Sequence, residues 1–376
     1  MNILITGGLG FIGTNLALSL RREGKHAVRL FDNLSPQIHG VIPVVGSAVL
    51  SDPGIEIIRG DVRDQDALAG ALRNVDAIIH LAAETGTAQS MYQIAHYNAV
   101  NSQATAQMLD FLANNAHSVK KIVLATSRSI YGEGAYHCPV HGQVYPGARS
   151  ALQLQESLWD PLCPVCEGKI SAIPTPESAR PSPASIYAAT KYAQEDLIRI
   201  AGNSLGIGTA ILRFQNVYGA GQSLNNPYTG ILSIFSTRIR RSMPLPIFED
   251  GAESRDFVHV NDVVQALMLA LENDAANGRT FNVGVGEPTS VMQIANLLVD
   301  ALGGSVRPHV TGQYRLGDIR HCYADLTQIK TQLNFVPAMS LKQGIAEFAS
   351  WVLSQPLPED GLDKANDELK KRKMMS

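Results

Sequence analysis

Short apolar runs of four to six residues recur along the first third of the chain, separated by longer stretches whose apolar residues fall at helical spacing. The runs at 2–6, 27–31, 55–58, 76–81 and 121–126 read as strands, each short and β-branched enough for a buried strand. Between them, 12–23, 65–73 and 97–115 read as helices. Strand and helix in alternation predict an α/β fold with a doubly wound parallel sheet and right-handed crossovers. The pattern gives a first domain over 1–204, interrupted at about 133–180 by a cysteine-bearing stretch, and a smaller α/β lobe over 205–352 whose elements interleave with the first. The last residues, 353–376, are charged and weakly helical and read as a surface extension without function.

Composition narrows the partners. The 376 residues are 45% apolar and 17% charged, with a net charge of −3. Such a chain has enough apolar residues for a large core and carries no electrostatic footprint for nucleic acid or an anionic membrane. No apolar run approaches the ~18 residues of a membrane helix, and a strand at residue 2 leaves no room for a signal peptide. The expected location is cytoplasmic, with the four cysteines reduced.

The loop after the first strand carries Gly7, Gly10 and Gly13. Backbone amides approach a pyrophosphate closely where no Cβ intervenes, and the helix beginning inside the loop turns its N-terminus to that charge. The companion acid at the end of the second strand is Asp32, 19 residues after Gly13. A carboxylate there accepts from a ribose 2′-hydroxyl and repels a 2′-phosphate, which predicts NAD over NADP. Gly60-Asp61-Val62 sets another carboxylate at the carboxyl edge of the sheet, where an adenine would lie. His80-Leu81-Ala82-Ala83 closes the fourth strand with small residues beside the dinucleotide. Later, Tyr187 and Lys191 fall four apart on one helix face. An ammonium beside a phenol favours phenolate and makes a general base of it. Ser127, at the end of a neighbouring strand, would hold the same substrate oxygen.

Taken in order, TGGLGFIG, Asp32, GDV, HLAA, SxxxYG and YxxxK resemble the extended short-chain dehydrogenase/reductase family, in particular its nucleotide-sugar epimerases and dehydratases. The resemblance runs over roughly 1–352 and implies a Rossmann-type fold with a C-terminal substrate lobe. Ser127, Tyr187 and Lys191 would be catalytic. The NAD contacts would come from Gly7, Gly10, Phe11, Ile12, Gly13, Asp32, Asn33, Asp61, Val62, Leu81, Ala82, Ala83, Asn101, Tyr187 and Lys191, with Asn101 supporting the lysine through a water network. The segments RFQNVYG, RDFVHVND and YRLGDIR are similar to the family's nucleotide-sugar contacts. They imply substrate binding by Asn216, Arg255, Arg315 and Asp318, alongside Thr87, Ser127 and Arg128. The stretches HLAAETGTAQSMY, GQSLNNPYTGIL and RLGDIRHCYAD are similar to a subgroup of dTDP-L-rhamnose 4-epimerase type. The family also pairs subunits through helices that would here be 97–115 and 187–203, which implies a homodimer.

Two departures from the family pattern carry information. Its dehydratases place an Asp-Glu pair directly after the catalytic Ser or Thr, because losing water needs its own acid and base. Arg128 and Ser129 stand there instead, which suits hydride-out, hydride-back epimerisation at C4 with a tightly bound NAD. A one-way 4-ketosugar reductase would use the same three groups, and a non-catalytic NAD-binding protein would keep the fold. The second departure is the long interval between Ser127 and Tyr187, with Cys138-Pro-Val-His141 and Cys163-Pro-Val-Cys166 inside it. Two such turns match a structural zinc site with three sulfurs and one nitrogen. His137 is a rival ligand, and four ordinary loop residues are the alternative. The insert follows the catalytic serine and is expected to cover the sugar pocket.

Overall fold

The computed structural model describes residues 1–40, 47–226, 228 and 230–376; Pro227 and Thr229 of the GQSLNNPYTGIL stretch lie outside them. Seven parallel strands form one sheet: β1 (Asn2–Thr6), β2 (Ala27–Asp32), β3 (Ile55–Arg59), β4 (Ala77–His80), β5 (Lys121–Ser127), β6 (Gly208–Phe214) and β7 (Arg279–Val283). Their spatial order is β3-β2-β1-β4-β5-β6-β7. The order reverses between β1 and β4, and such a reversal opens a crevice at the carboxyl ends of the strands, where doubly wound sheets take their ligands.

One face of the sheet is packed by helices Phe11–Glu23 and Val260–Glu272, through Leu16, Leu20, Val263 and Leu267. The other is packed by helices Ala104–Asn114 and Ile186–Leu205, through Met108, Leu109, Leu112 and Ile198. The helix expected over 97–115 is broken into Ile94–Tyr97, a π-helical turn Asn98–Gln103, and Ala104–Asn114. Such turns re-aim a single side chain; the buried one here is Asn101.

The remaining elements of the C-terminal half build a second core from Leu232, Phe235, Ile294, Leu298 and Phe348, on helices Ile231–Arg240, Val291–Leu302 and Leu341–Ser354. The insert is a three-stranded antiparallel sheet of Tyr136–Cys138, Gly142–Val144 and Ser171–Ala172, closed over Tyr136, Cys138, Val144 and Cys163.

Two expectations need correction. The insert does not cover the sugar pocket: no residue of 133–180 is among those lining the cleft described below, because its strands close on a small core of their own at Tyr136, Cys138, Val144 and Cys163. The chain end is no mere surface extension either. It forms a helix, Leu362–Lys371, that buries Leu362, Ala365 and Leu369, and Met375 is buried after it. Among the described residues, no helix is long and apolar enough to cross a membrane.

Candidate active site

The glycine loop is shaped by close approach. Gly7 lies at φ +67°, and a Cβ there would sit 2.8 Å from the Ala82 amide nitrogen; at Gly13 it would sit 2.6 Å from the Gly7 carbonyl. Asp32 is braced against the loop, one carboxylate oxygen accepting from the Leu9 amide at 3.0 Å and the other from Leu34 at 2.8 Å. Gly7, Gly10, Phe11, Ile12, Gly13, Asp32, Asn33, Val62, Leu81, Ala82 and Ala83 together line a cavity of about 270 Å³. This is a cradle that NAD fits: bare backbone where a pyrophosphate would rest and a carboxylate where a ribose would end. Asp61 is not among the lining residues. Arg63 grips its carboxylate at 2.9 and 2.8 Å, and it accepts from Asn33 at 2.9 Å. The guanidinium holds that carboxyl far below the usual range, so Asp61 acts on the cradle by positioning Asn33.

Phe11, Ile12, Leu81 and Ala83 also line the next part of the cleft, about 390 Å³, which contains Ser127, Tyr187, Lys191 and Asn216. Ser127 ends β5 beside Phe214; its oxygen accepts from the Ser129 amide at 3.2 Å and it hydrogen-bonds the Tyr187 phenol. Tyr187 and Lys191 sit one turn apart on helix Ile186–Leu205, which Ser185 caps. The Tyr187 amide donates to Ser90 at 3.0 Å. Burial pushes the phenol up, opposed by the Ser127 hydrogen bond and then by the charge of Arg128. Burial also pulls the Lys191 ammonium down to about 7, with Glu195 opposing. Tyr187 and Lys191 thus share one helix face in the middle of the cleft, with Arg128 a further cation acting on the phenol.

Asn101 is held by direct bonds. It accepts from the Glu84 amide at 2.9 Å, and donates to the Glu84 carbonyl at 3.1 Å and to Thr190 at 3.0 Å. It thus ties the residue next to Lys191 to the loop after β4. His80 bridges the hydroxyls of Thr6 and Thr105 at 2.7 and 3.0 Å, and burial holds it neutral, down to about 3.

The third part of the cleft measures about 470 Å³ and brings together Thr87, Arg128, Asn216, Arg255, Arg315 and Asp318. Thr87, Arg128, Asn216 and Tyr228 line both this part and the middle one, so the three cavities form one cleft. Arg255 donates to the carbonyls of Ser254, Arg320 and Ile319 at 2.8, 3.0 and 2.7 Å. Arg315 lies over the Phe248 ring at 4.7 Å and donates to Asn366 at 2.8 Å, while its buried Nε has no partner among the described residues. Three guanidinium groups in one cavity suit a diphosphate. Beyond them Ile234, Phe235, Phe248 and Leu316 make an apolar end.

Other residues of the same motifs hold the fold. Asp256 accepts from the amides of Val285, Gly286 and Ala324, and burial raises it to about 6; Asp262 accepts from Ala338 and Met339. Of RDFVHVND, Arg255 and Phe257 line the cleft. The sequence reading missed Gln222 and Tyr228 as cleft residues, although both lie in GQSLNNPYTGIL. It also missed Leu362, Ala365, Leu369 and Met374 of the chain end, whose signal is apolar positions three and four apart.

In the insert, Cys138 Sγ and Cys163 Sγ each lie 3.6 Å from His141 Nδ1, and Cys138 Sγ lies 3.8 Å from Cys166 Sγ. All four ligand atoms fall within 4.8 Å of one another. A tetrahedral zinc with its usual bond to sulfur spaces thiolates roughly 3.8 Å apart. His137 is exposed and stands outside the cluster.

The sequence matches the model of the NAD dependent epimerase/dehydratase family over residues 3–149 and 166–284, the gap falling in the insert. It is 37% identical to the dTDP-L-rhamnose 4-epimerase of Burkholderia thailandensis, over 94% of this chain and 95% of that protein. Among solved structures it is similar to the UDP-glucose 4-epimerase of Thermotoga maritima with UDP-glucose, at TM-score 0.75 and 28% identity over 93% and 98% of the two chains. It is also similar to MoeE5 in complex with UDP-glucose and NAD, at TM-score 0.74 and 27% identity over 94% and 99%. A glycine cradle, a Ser-Tyr-Lys set and this match over most of the length lead to one conclusion: the chain belongs to the NAD dependent epimerase/dehydratase family.

Proposed function

We propose that the chain is an NAD-dependent nucleotide-sugar 4-epimerase whose substrate is a dTDP-6-deoxyhexose such as dTDP-L-rhamnose. The observation that carries this is the position of Ser127, Tyr187 and Lys191 in the middle of one cleft, between a dinucleotide cradle and an arginine-lined cavity. Tyr187 takes the proton of the sugar C4 hydroxyl, and Ser127 holds that oxygen as the ketone forms. The cradle would hold NAD, which would supply the hydride acceptor for C4 and the donor for its opposite face, and Tyr187 gives its proton back to the C4 oxygen. Arg128, Arg255, Arg315 and Asn216 keep the diphosphate fixed while the 4-keto sugar turns. The relative from Burkholderia thailandensis supports the choice of sugar. Ser129 and Arg128, in place of an acid pair, speak against loss of water.

The test is to incubate the purified protein with dTDP-L-rhamnose and no added cofactor. An isomer of unchanged mass is expected, and Tyr187→Phe should lower turnover by about 10² or more. Product lighter by one water, or turnover only with free NAD(H), would remove the epimerase reading, the second result in favour of a one-way reductase.

The same reading includes one zinc ion per chain on Cys138, His141, Cys163 and Cys166, supported by the convergence of the four ligand atoms. Four protein ligands leave no open position, so the ion holds the insert and takes no part in the chemistry. The reading also includes a homodimer in the cytoplasm. On the two helices expected to pair subunits, Ala104, Met108 and Leu109 are buried in the core, whereas Ile200 is 69% exposed. Elution of a Ile200→Glu variant as a monomer beside a dimeric parent would support that face.

A further inference from the structure

The residues after 352 are held down along their length. Arg240 donates to the carbonyls of Val352 and Gln355, both at 2.8 Å, and Arg241 to Pro358 at 2.7 Å. The buried Arg238 pairs with Asp360 at 2.8 Å and Asp363 at 3.0 Å. These three arginines fasten the chain end.

Past them, helix Leu362–Lys371 turns Leu362, Ala365 and Leu369 into the arginine-lined cavity, and Met374 follows. Asn366 accepts from Arg315 at 2.8 Å. Glu368 accepts from Tyr92 at 3.0 Å and from Tyr228 at 2.8 Å, and Arg372 lies over the Tyr92 ring at 4.2 Å. The last residues pair with the loop that carries Arg315. The Leu316 amide donates to the Met374 carbonyl at 3.0 Å, and Ser376 donates to the Tyr314 carbonyl at 3.1 Å.

We propose that residues 362–376 are part of the substrate site. They wall the apolar end of the cleft against which the base of a nucleoside diphosphate packs, and through Asn366 and Glu368 they hold Arg315 and Tyr228 where they meet that ligand. The inference rests on the nucleotide-sugar reading above and adds a segment to it. Two independent features point to a ligand at this place. The Arg315 guanidinium is fixed on both sides, by the Phe248 ring and by Asn366, yet keeps a buried Nε with no partner among the described residues. An apolar wall of Leu362, Leu369, Met374 and Phe248 stands next to it. A flat apolar group joined to an anion satisfies both at once.

The test compares the full-length protein with a full-length Leu369→Ser/Met374→Ser variant, and reads dTDP binding by calorimetry apart from turnover. The variant should bind dTDP about ten-fold more weakly and raise KM in proportion. Its kcat and its content of bound NAD should stay at the parent's values. Asn366→Ala, a small change within a helix, should weaken dTDP about three-fold or more and stands in if the double variant does not fold. Unchanged dTDP affinity in both would overturn the proposal, leaving the segment a cover. Tighter binding would overturn it too and make the segment a self-blocking lid. A parent protein that binds neither dTDP nor UDP would instead remove the nucleotide-sugar reading, and that result needs no variant to recognise.

Discussion

The stretches 133–180 and 353–376 both stand outside the alternating pattern of the sheet, and they are attached to the molecule in opposite ways. The insert has a core of its own, four converging metal-type ligands, and an anchor to the substrate lobe: the buried Arg149. That arginine meets Glu133 at 3.3 Å and Glu249 at 2.9 Å, and donates to the Asp318 carbonyl at 2.9 Å. The chain end has no core. Its apolar residues are buried only because the cleft lies beneath them, and its polar ones bond to Arg315, Tyr92 and Tyr228. A segment of a few dozen residues cannot bury enough surface to stand alone, so it must take either a cross-link or a host. The insert reaches the cleft from behind, through Arg149 on Glu249 and the Asp318 carbonyl, without lining it; the chain end lines it.

The largest effect should come from taking the proposed zinc cross-link away. Apparent zinc affinities in small closed sites correspond to about 10–16 kcal/mol, far more than the insert's few buried side chains supply. Cys163→Ser is expected to lose the metal in elemental analysis and to open 133–180 to limited proteolysis, while single-turnover chemistry at Tyr187 persists. A variant that keeps its insert protected yet loses the chemistry would break the contrast, because the metal would then belong to the active site.

Next in size is the anchor. Arg149→Met leaves Glu133 buried without a cation, whereas Glu249 keeps Arg320 at 3.1 Å, and an uncompensated buried charge costs about 3–5 kcal/mol. Urea unfolding should show that loss. Adding Glu133→Gln should restore much of it, since the penalty belongs to the stranded carboxylate. A double variant as unstable as the single one would mean that Arg149 acts by packing alone.

A smaller effect belongs to the hosted segment. Two tyrosine hydroxyls hold the Glu368 carboxyl below its usual range. A carboxyl depressed by docking supports docking above the free value of about 4.3 and stops doing so as pH falls through the docked value. Glu368→Gln keeps the shape and weakens both bonds, so KM for the nucleotide sugar should rise about two- to five-fold, with kcat unchanged. An unchanged KM would show that Tyr228 needs no help from the segment.

The legibility of these regions follows their physics. A cradle for a pyrophosphate requires glycines at fixed intervals, and a phenol–ammonium pair requires one helical turn, so Gly7, Gly13, Asp32, Tyr187 and Lys191 declare themselves by spacing. Metal-type ligands do the same, which is why Cys138, His141, Cys163 and Cys166 could be picked out before their atoms were seen to meet. Where the insert lies was not legible, because spacing within a segment says nothing about which way its anchor points. The chain end was illegible for another reason. Leu362, Ala365 and Leu369 form a stripe barely two turns long, set among lysines and acids that suit solvent equally well. The π-helical turn at Asn101 was hidden too, since it is set by what Glu84 and Thr190 require.

The smallest expected effect of either segment is on titration at Tyr187 and Lys191, where it should be none. Lys191 is pulled down to about 7 by burial, against about 10.4 for a free lysine. Between those values the unfolded chain carries a proton that the folded one has released, so stability should rise with pH from about 7 toward about 10. Urea unfolding at several pH values in that window should give the same slope for the parent, for Cys163→Ser and for Leu369→Ser/Met374→Ser, and a lost slope for Lys191→Met. The base limb of kcat should likewise stay in place in both segment variants. It should move to higher pH in Arg128→Met, because Arg128 is the charge that pulls the phenol down. Arg128 lines both the reacting part and the nucleotide part of the cleft. It is therefore the residue through which a disturbance of the chain end could reach the base. A limb that shifts in the Leu369→Ser/Met374→Ser variant would show that it does, and the hosted segment would then tune the chemistry as well as the binding.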